Sequence, residues 1–317
     1  MSNLPSHQLV SVVIATYNGE RFIGKQLDSI LAQTYPNIEV IIVDDCSSDN
    51  TVNLLQQYAA IHQNIFIYQN DKNLGYVKNF EKGMLLSKGD FIAPSDQDDI
   101  WLPQKIQVLM NAISNDCIVY CNSALIDDED NKVGKKLSDI KQLINFNDPI
   151  MYAIGNSAPG HAMLFPKKLV QDSVPLPTMI PHDHWLSFVA TFTGGLHFIN
   201  EPLVLYRQHN GNVFGAAKVK SVNGSSTVKI KMKPTTSERN IKIRERVNLM
   251  YLKCPTNLKE QKCFFKELNE VYKNFSILNN IKRVILFFKF RYKILSFKRR
   301  KEWRRWLFCI KMFWSIQ

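Results

Sequence analysis

Three carboxylates, Asp96, Asp98 and Asp99, crowd into the stretch SDQDDIWLP at residues 95–103, between the apolar run DFIAP and a tryptophan. Carboxylates this close repel one another, and a divalent cation relieves the repulsion; an all-oxygen ligand set suits Mg2+ or Mn2+. An EF-hand fails on spacing, because with Asp96 at position 1 the turn glycine would be Trp101 and the bidentate Glu would be Gln107. A solvated acidic turn is the plainer alternative. The flanking residues argue against it: residues 90–94 read as a short buried strand, and Pro103 followed by QKIQVLMNAI reads as a helix with proline in its first turn. The carboxylates therefore stand at the carboxyl end of a strand, where open α/β sheets bind their ligands.

Two further strand ends carry polar groups. Thr16, Tyr17 and Asn18 close the first strand, and Asp44 and Asp45, followed by CSSDNT, close the second. Side by side in a sheet, such ends can grip one small ligand, with a carboxylate accepting hydrogen bonds from a base or sugar. Asp45 as a helix cap is the bland alternative. Later in the chain, His182, Asp183 and His184 open the apolar helix DHWLSFVATF. A zinc HxH site is disfavoured there, since no third ligand of suitable spacing follows.

The elements that must position these groups alternate from Gln8 to Ile126. Strands QLVSVVIATYN, IEVIIVDD, NIFIYQN, DFIAPSD and CIVYCNSALID are interleaved with helices RFIGKQLDSILAQT, TVNLLQQYAAIH, YVKNFEKGMLLS and PQKIQVLMNAIS. Strand IEVIIVDD is apolar at nearly every position, as a strand covered on both faces should be. The pattern predicts a doubly wound, mostly parallel α/β sheet. It has neither GxGxxG nor GKS, so a dinucleotide fold and a P-loop are unsupported. Strand-like HAMLFP at 161–166, the helix at 183–192 and an extended segment at 196–209 follow.

The 317 residues, 45% hydrophobic, suffice for a real core. Six cysteines without a CxxC pair read as reduced thiols. The polar start MSNLPSHQ and the short first apolar run carry no signal-peptide pattern, so a cytoplasmic location is expected. The net charge of +12 is unevenly shared. Residues 218–317 carry 26 Lys+Arg against 6 Asp+Glu, a net +20, which leaves −8 for the first 217 residues. The expected division is a catalytic domain at 8–217 with halves 8–127 and 128–217, a Gly/Ser/Lys/Thr-rich linker at 218–236, and a basic, mainly helical extension at 237–317. In residues 279–317 basic side chains alternate with Phe, Trp, Leu and Ile, yet no stretch is apolar for long enough to span a bilayer. That pattern fits an anionic membrane surface, and the alternative is packing on the catalytic domain or in a homodimer.

The set SVVIATYNGERFIGKQLDSILAQT, IIVDDCSSDNT, NLGYVKNFEKG and SDQDDIWLP strongly resembles the family 2 glycosyltransferases of the GT-A fold, from about Val10 to His209. The resemblance implies that Thr16, Tyr17, Asn18, Asp44 and Asp45 contact the nucleotide of a sugar donor. Asp96, Gln97 and Asp98 match the family's DxD motif, which implies that Asp98 coordinates Mg2+ or Mn2+ and that Asp96 faces the ribose and the metal's waters. HDHW matches the segment holding the catalytic Asp, so Asp183 is the expected base, flanked by His182 and His184. Gly160 in NSAPGHAMLF falls on the acceptor side. In LYRQHNGN, Arg207 is expected at the diphosphate and His209 at phosphate or metal. Within the family, SDQDDIW, HDHW and EPLVLYRQHNGN look most like bacterial rhamnosyltransferases of surface polysaccharide synthesis. That implies a dTDP-rhamnose or UDP-hexose donor and a lipid-linked glycan acceptor. The rival from another class, a protein that binds nucleic acid or another acidic polymer through the basic tail, leaves the strand-end carboxylates unexplained.

Overall fold

The computed structural model describes residues 8–113, 117–208, 236–298 and 301–314. They form two compact units, one running to Asn147 and resuming over Asn156–Gln208, the other joining Asp148–Gly155 to the C-terminal helices. The expected linker and His209 lie outside the described residues, except for Thr236.

The first unit follows the alternating pattern. Its elements are β1 (Val10–Thr16), α1 (Ile23–Leu31), β2 (Ile38–Asp44), α2 (Thr51–Ile61), β3 (Ile65–Gln69), α3 (Tyr76–Leu86), β4 (Phe91–Ser95), β5 (Ile100–Trp101) and α4 (Lys105–Ala112). Then come β6 (Cys117–Ile126), β7 (Lys132–Lys136), α5 (Leu137–Ile140), β8 (Met163–Pro166), α6 (Lys168–Ser173), α7 (His182–Ala190) and β9 (Gly195–Arg207). The strands make one sheet in the order β3-β2-β1-β4-β8-β6-β9-β5, with β7 on β6. Strands β3, β2, β1 and β4 are parallel, and β8 enters antiparallel between β4 and β6. Burial explains the local choices. β1 and β2 are buried nearly throughout because helices cover both faces, and α1 turns Ile23, Gln26, Leu27 and Ile30 inward at helical spacing. β1 pairs Thr16 with Asp44 of β2 and Ile14 with Ser95 of β4, so the three polar strand ends emerge side by side.

Three short elements escape the sequence pattern. β5 is two residues long and is made only by pairing Ile100 and Trp101 with Leu205 and Val204 of β9. β7 is exposed throughout and exists because β6 offers it an edge. Residues 148–155, expected inside the catalytic domain, pack with the helices that follow.

The second unit holds α8 (Thr236–Lys253), α9 (Lys259–Tyr272), α10 (Ile277–Lys289), α11 (Arg291–Ile294) and α12 (Glu302–Lys311). Its core is aromatic, with Phe264 edge-on to Phe290 and Phe287 near Phe308. Buried Arg283 of α10 ties it together, donating to the carbonyls of Met312 (2.8 Å) and Val271 (3.1 Å) and to Asn280 Oδ1 (2.7 Å). Lys293 reaches back to Asp148 at 2.8 Å, which fixes the 148–155 segment in this unit.

Candidate active site

The first two strand ends are locked together before any ligand is considered. Asp44, fully buried, accepts from Thr16 Oγ1 (3.0 Å), from Ser47 Oγ (2.5 Å) and from the Ser47 backbone N–H (2.9 Å). Asp45, also buried, accepts from Asn70 Nδ2 (2.8 Å) and from the backbone N–H groups of Leu74 (2.8 Å) and Gly75 (2.9 Å). Both carboxylates thus fold loops: Asp44 the turn after β2, and Asp45 the NLG turn into α3. Asn18 takes the left-handed region (φ 49°), where its Oδ1 accepts the Ser48 N–H at 2.8 Å. Tyr17 is exposed, and its backbone is clamped by Gln97, whose Oε1 accepts the Tyr17 N–H at 2.9 Å and whose Nε2 donates to the Tyr17 carbonyl at 3.2 Å. The middle residue of the DxD match therefore joins the β1 end to the β4 end.

Beyond β4 the acidic cluster is divided by burial. Asp96 and Asp98 are half-buried, whereas Asp99 is only 1% exposed. His161, from the 3-10 turn that leads into β8, brings Nδ1 to 3.6 Å from Asp96 Oδ2 and 3.7 Å from Asp99 Oδ2. Its other nitrogen pairs with Ser123 Oγ at 3.0 Å, and its ring lies 4.4 Å from that of Tyr206. Burial opposes ionisation of Asp96, but the hydrogen bond and charge of His161, with His182 and Lys105, outweigh it and hold the carboxyl below its usual range. Asp99 goes the other way: burial, then the charges of Asp98 and Asp96, push its carboxyl well up. One oxygen of Asp99 accepts the Arg207 backbone N–H at 3.1 Å, and the other, Oδ2, is buried without a hydrogen bond among the described residues. Fully buried Lys105 stands beneath, donating to the His161 carbonyl at 2.7 Å and lying 3.0 Å from the Trp101 ring. Burial pushes its ammonium down to about 7, against the opposing pull of Cys121, Asp99 and Asp96.

This arrangement fits a divalent cation. Ligand atoms of Asp96, Asp99 and His161 all lie within 4.8 Å of one another, and metal–oxygen bonds of about 2.0–2.1 Å bridge atoms about 4 Å apart with only small shifts. The buried Asp99 Oδ2 makes no hydrogen bond among the described residues and has His161 Nδ1 only at 3.7 Å, so it can accept a cation. Asp98, the ligand expected from the motif, stands next to this cluster, and its backbone carbonyl accepts from Arg207 Nε at 2.7 Å.

Asp183 sits in the first turn of α7, half-buried, and its Oδ1 accepts the His184 backbone N–H at 2.7 Å. Tyr76 and His182 connect it to the sheet edge. Burial, then the charges of Asp183 and Asp96, push the Tyr76 phenol up to about 12. Burial pushes the His182 imidazole down, while the same two carboxylates pull it back. Gly160, against Asp183, is followed directly by His161, whose Nδ1 stands 3.6 Å from Asp96, so one turn packs against both α7 and the acidic cluster. His182 lies flat on Phe80 at 4.0 Å, edge-on to Tyr76 at 6.1 Å, and neither ring nitrogen has a hydrogen bond among the described residues. Gly160 passes directly over this pair: a Cβ there would stand 2.8 Å from His182 Nε2 and 3.3 Å from Asp183 Cβ. His184 is buried in the same helix turn.

Arg207 is fully buried and faces protein. Besides Asp98, its guanidinium donates to the Asp127 carbonyl at 2.9 Å, pairs with Asp130 at 2.5 Å and lies 4.5 Å from the Phe22 ring. It holds the Asp98–Asp99 turn, through Nε on the Asp98 carbonyl and its backbone N–H on the Asp99 carboxylate. Sequence reasoning missed His161, Lys105 and the clamp by Gln97. Only Lys105 left a trace, since it shares the apolar face of α4 with Leu109, four residues on.

The same architecture occurs in a solved structure of S. aureus TarS (residues 1–349, in complex with UDP-GlcNAc): TM-score 0.58 at 16% identity, covering 96% of this chain and 80% of that one. The fold is accordingly that of the GT-A glycosyltransferases. Residues 11–172 match the model of "Glycosyl transferase family 2", and the chain belongs to that family. Relatives include the dTDP-rhamnosyl transferase RfbG of Shigella flexneri, 32% identical over 220 residues that span 64% of this chain and 74% of RfbG. An uncharacterized glycosyltransferase of Rickettsia typhi is 28% identical over 226 residues, or 66% of this chain and 67% of its own length.

Proposed function

We propose that this glycosyltransferase is an inverting, metal-dependent enzyme that moves a hexosyl or rhamnosyl unit from a nucleotide sugar, dTDP-rhamnose or a UDP-hexose, to a lipid-linked or polysaccharide acceptor. The setting is bacterial surface glycan synthesis, of O-antigen or capsule, on the inner face of the cell membrane. The observation that carries this reading is the turn at Gly160 and His161, which packs against Asp183 of α7 at one residue and stands 3.6 Å from Asp96, just past the carboxyl end of β4, at the next. The likeness to RfbG supports a rhamnosyl donor, and the fold shared with TarS, solved with UDP-GlcNAc, is compatible with a UDP-sugar.

In this reading the TYN turn, shaped by Thr16, Tyr17, Asn18, Asp44 and Asp45, receives the base, and Asp96 faces the ribose. The residues that would hold the cation are Asp96, Asp98, Asp99 and His161, with His209 as a further proposed ligand. When bound, Mg2+ or Mn2+ would offset the charge growing on the leaving diphosphate. Gly160, His182 and His184 form the acceptor side, with buried His182 packed between Phe80 and Gly160 to shape it. Asp183 takes the proton of the acceptor hydroxyl as that oxygen bonds to the anomeric carbon. The bond from that carbon to the diphosphate breaks on the opposite face, and the nucleoside diphosphate leaves with the electron pair. The configuration therefore inverts.

The test is a panel of nucleotide sugars read by thermal stabilisation, followed by turnover of the best binder with and without Mn2+. A ligand specific to the native state raises apparent stability. Stabilisation by dTDP-rhamnose or a UDP-hexose together with Mn2+-dependent release of the nucleoside diphosphate supports the proposal. Release that ignores chelation removes the metal from it, and no stabilisation by any member removes the donor class.

A further inference from the structure

We propose that α10 and α12 together form the face by which this chain lies on an anionic lipid bilayer. The proposal sharpens the membrane placement given above and is independent of the transfer chemistry. Each helix carries two apolar rows. The inner rows are already used, since Leu286, Phe287, Phe308 and Cys309 are buried in the second unit's core. The outer rows face largely to solvent. Ile281 and Ile285 stand one turn apart on α10, Trp303, Trp306 and Ile310 lie three to four residues apart on α12, and these five are 42–61% exposed. Phe288, next in the α10 row, meets Trp306 edge-on at 5.9 Å and joins the two rows into one surface.

Charge decides what fits this surface. Exposed Lys282, Lys289, Lys301, Arg304 and Lys311 flank it, and none pairs with a carboxylate among the described residues. Arg291 and Lys293 are already neutralised, the first by Glu302 and the second by Asp148 and Glu260. Glu302 is the one acidic residue in the sequences of α10 and α12. An apolar strip rimmed by uncompensated cations matches the headgroup boundary of an anionic membrane, where Ile and Trp enter and Lys and Arg reach lipid phosphates. A second copy of the same face would bring like charges together, which disfavours a symmetric dimer here. Among the described residues no helix is long and apolar enough to cross a membrane, so the contact lies in the plane of the surface.

The full chain is tested by co-sedimentation with phosphatidylcholine vesicles, with and without phosphatidylglycerol, at low and high salt. Binding should require phosphatidylglycerol and weaken with salt. Ile281→Glu with Ile285→Glu should cut partitioning by about tenfold or more, since each buried aliphatic side chain contributes on that scale. Its melting temperature should be unchanged, because both positions are exposed. Replacing Lys282, Lys289, Arg304 and Lys311 by Gln should abolish the preference for the anionic vesicles. Failure of the parent chain to sediment with anionic vesicles at low salt overturns the proposal, as does equal sedimentation of the Ile double variant. A dimer in analytical ultracentrifugation that Ile281→Glu with Ile285→Glu dissociates overturns it in favour of a second copy. No readout depends on sugar transfer, so a wrong donor or mechanism leaves this result standing, and the reverse also holds.

Discussion

Replacing Arg207 by Met separates two roles that this arginine could play. Its guanidinium holds the carbonyls of Asp98 at 2.7 Å and Asp127 at 2.9 Å and pairs with Asp130, all from a fully buried position. Met fills most of the volume and restores none of these bonds. Breaking a buried ion pair costs about 3–5 kcal/mol when the partner is left alone in the interior. Here Asp130 is 31% exposed and keeps Lys25 as a second partner, so the loss falls below that range, at about 2–3 kcal/mol. For a domain of this size about 1 kcal/mol shifts the melting temperature by about 2–4 °C, so a fall of about 4–12 °C is expected. The assay is thermal unfolding followed by circular dichroism, repeated with UDP and with dTDP. A buried clamp predicts the fall in both series, with nucleotide stabilisation reduced only as far as the Asp98–Asp99 turn loosens. An unchanged melting temperature together with complete loss of nucleotide stabilisation would refute the reasoning, because Arg207 would then contact ligand directly.

Asp183→Asn should lower turnover by about 10²–10⁴-fold with donor affinity nearly unchanged, measured as a kcat against KM split; lost affinity with retained turnover makes Asp183 a cap only. Gly160→Ala pushes a methyl against His182 and Asp183 and should cost about 1–3 kcal/mol of stability and a larger share of turnover, read by melting and steady-state kinetics. Mn2+ titrated by electron paramagnetic resonance should bind more weakly in Asp99→Asn and His161→Gln, and the hyperfine signature of a ligand nitrogen should vanish in the latter; an unchanged signature excludes His161 from the ion. His182 is buried with its pKa lowered, so the unfolded chain takes a proton first as pH falls below about 6.5. Its contribution is thus complete above that pH and is lost as pH drops through the folded value. His182→Phe should therefore flatten the acid limb of a stability-against-pH curve measured by urea unfolding.

The sequence by itself determined the alternation of strand and helix, the basic helical extension and the family, because each is written in local order. Buried strands such as IEVIIVD declare themselves by unbroken apolar runs, and the helices by their three-to-four-residue spacing. The position of Asp96, Asp98 and Asp99 at a strand end is equally local. Tertiary structure alone decided which of these carboxylates meets which partner. Asp99 differs from Asp98 because the backbone after β4 turns one into the interior, against His161 from the turn before β8, and leaves the other half in solvent. Arg207 carries no mark in the sequence to show that it is buried, and only the pairing of β9 with β6 and β5 encloses it. Residues 148–155 have no periodicity that assigns them to the C-terminal helices; Asp148 does so by meeting Lys293. Propensity and pattern act over a few residues, whereas burial, ion pairing and pKa follow from distances between segments far apart in the chain, which exist only once the sheet has closed around them.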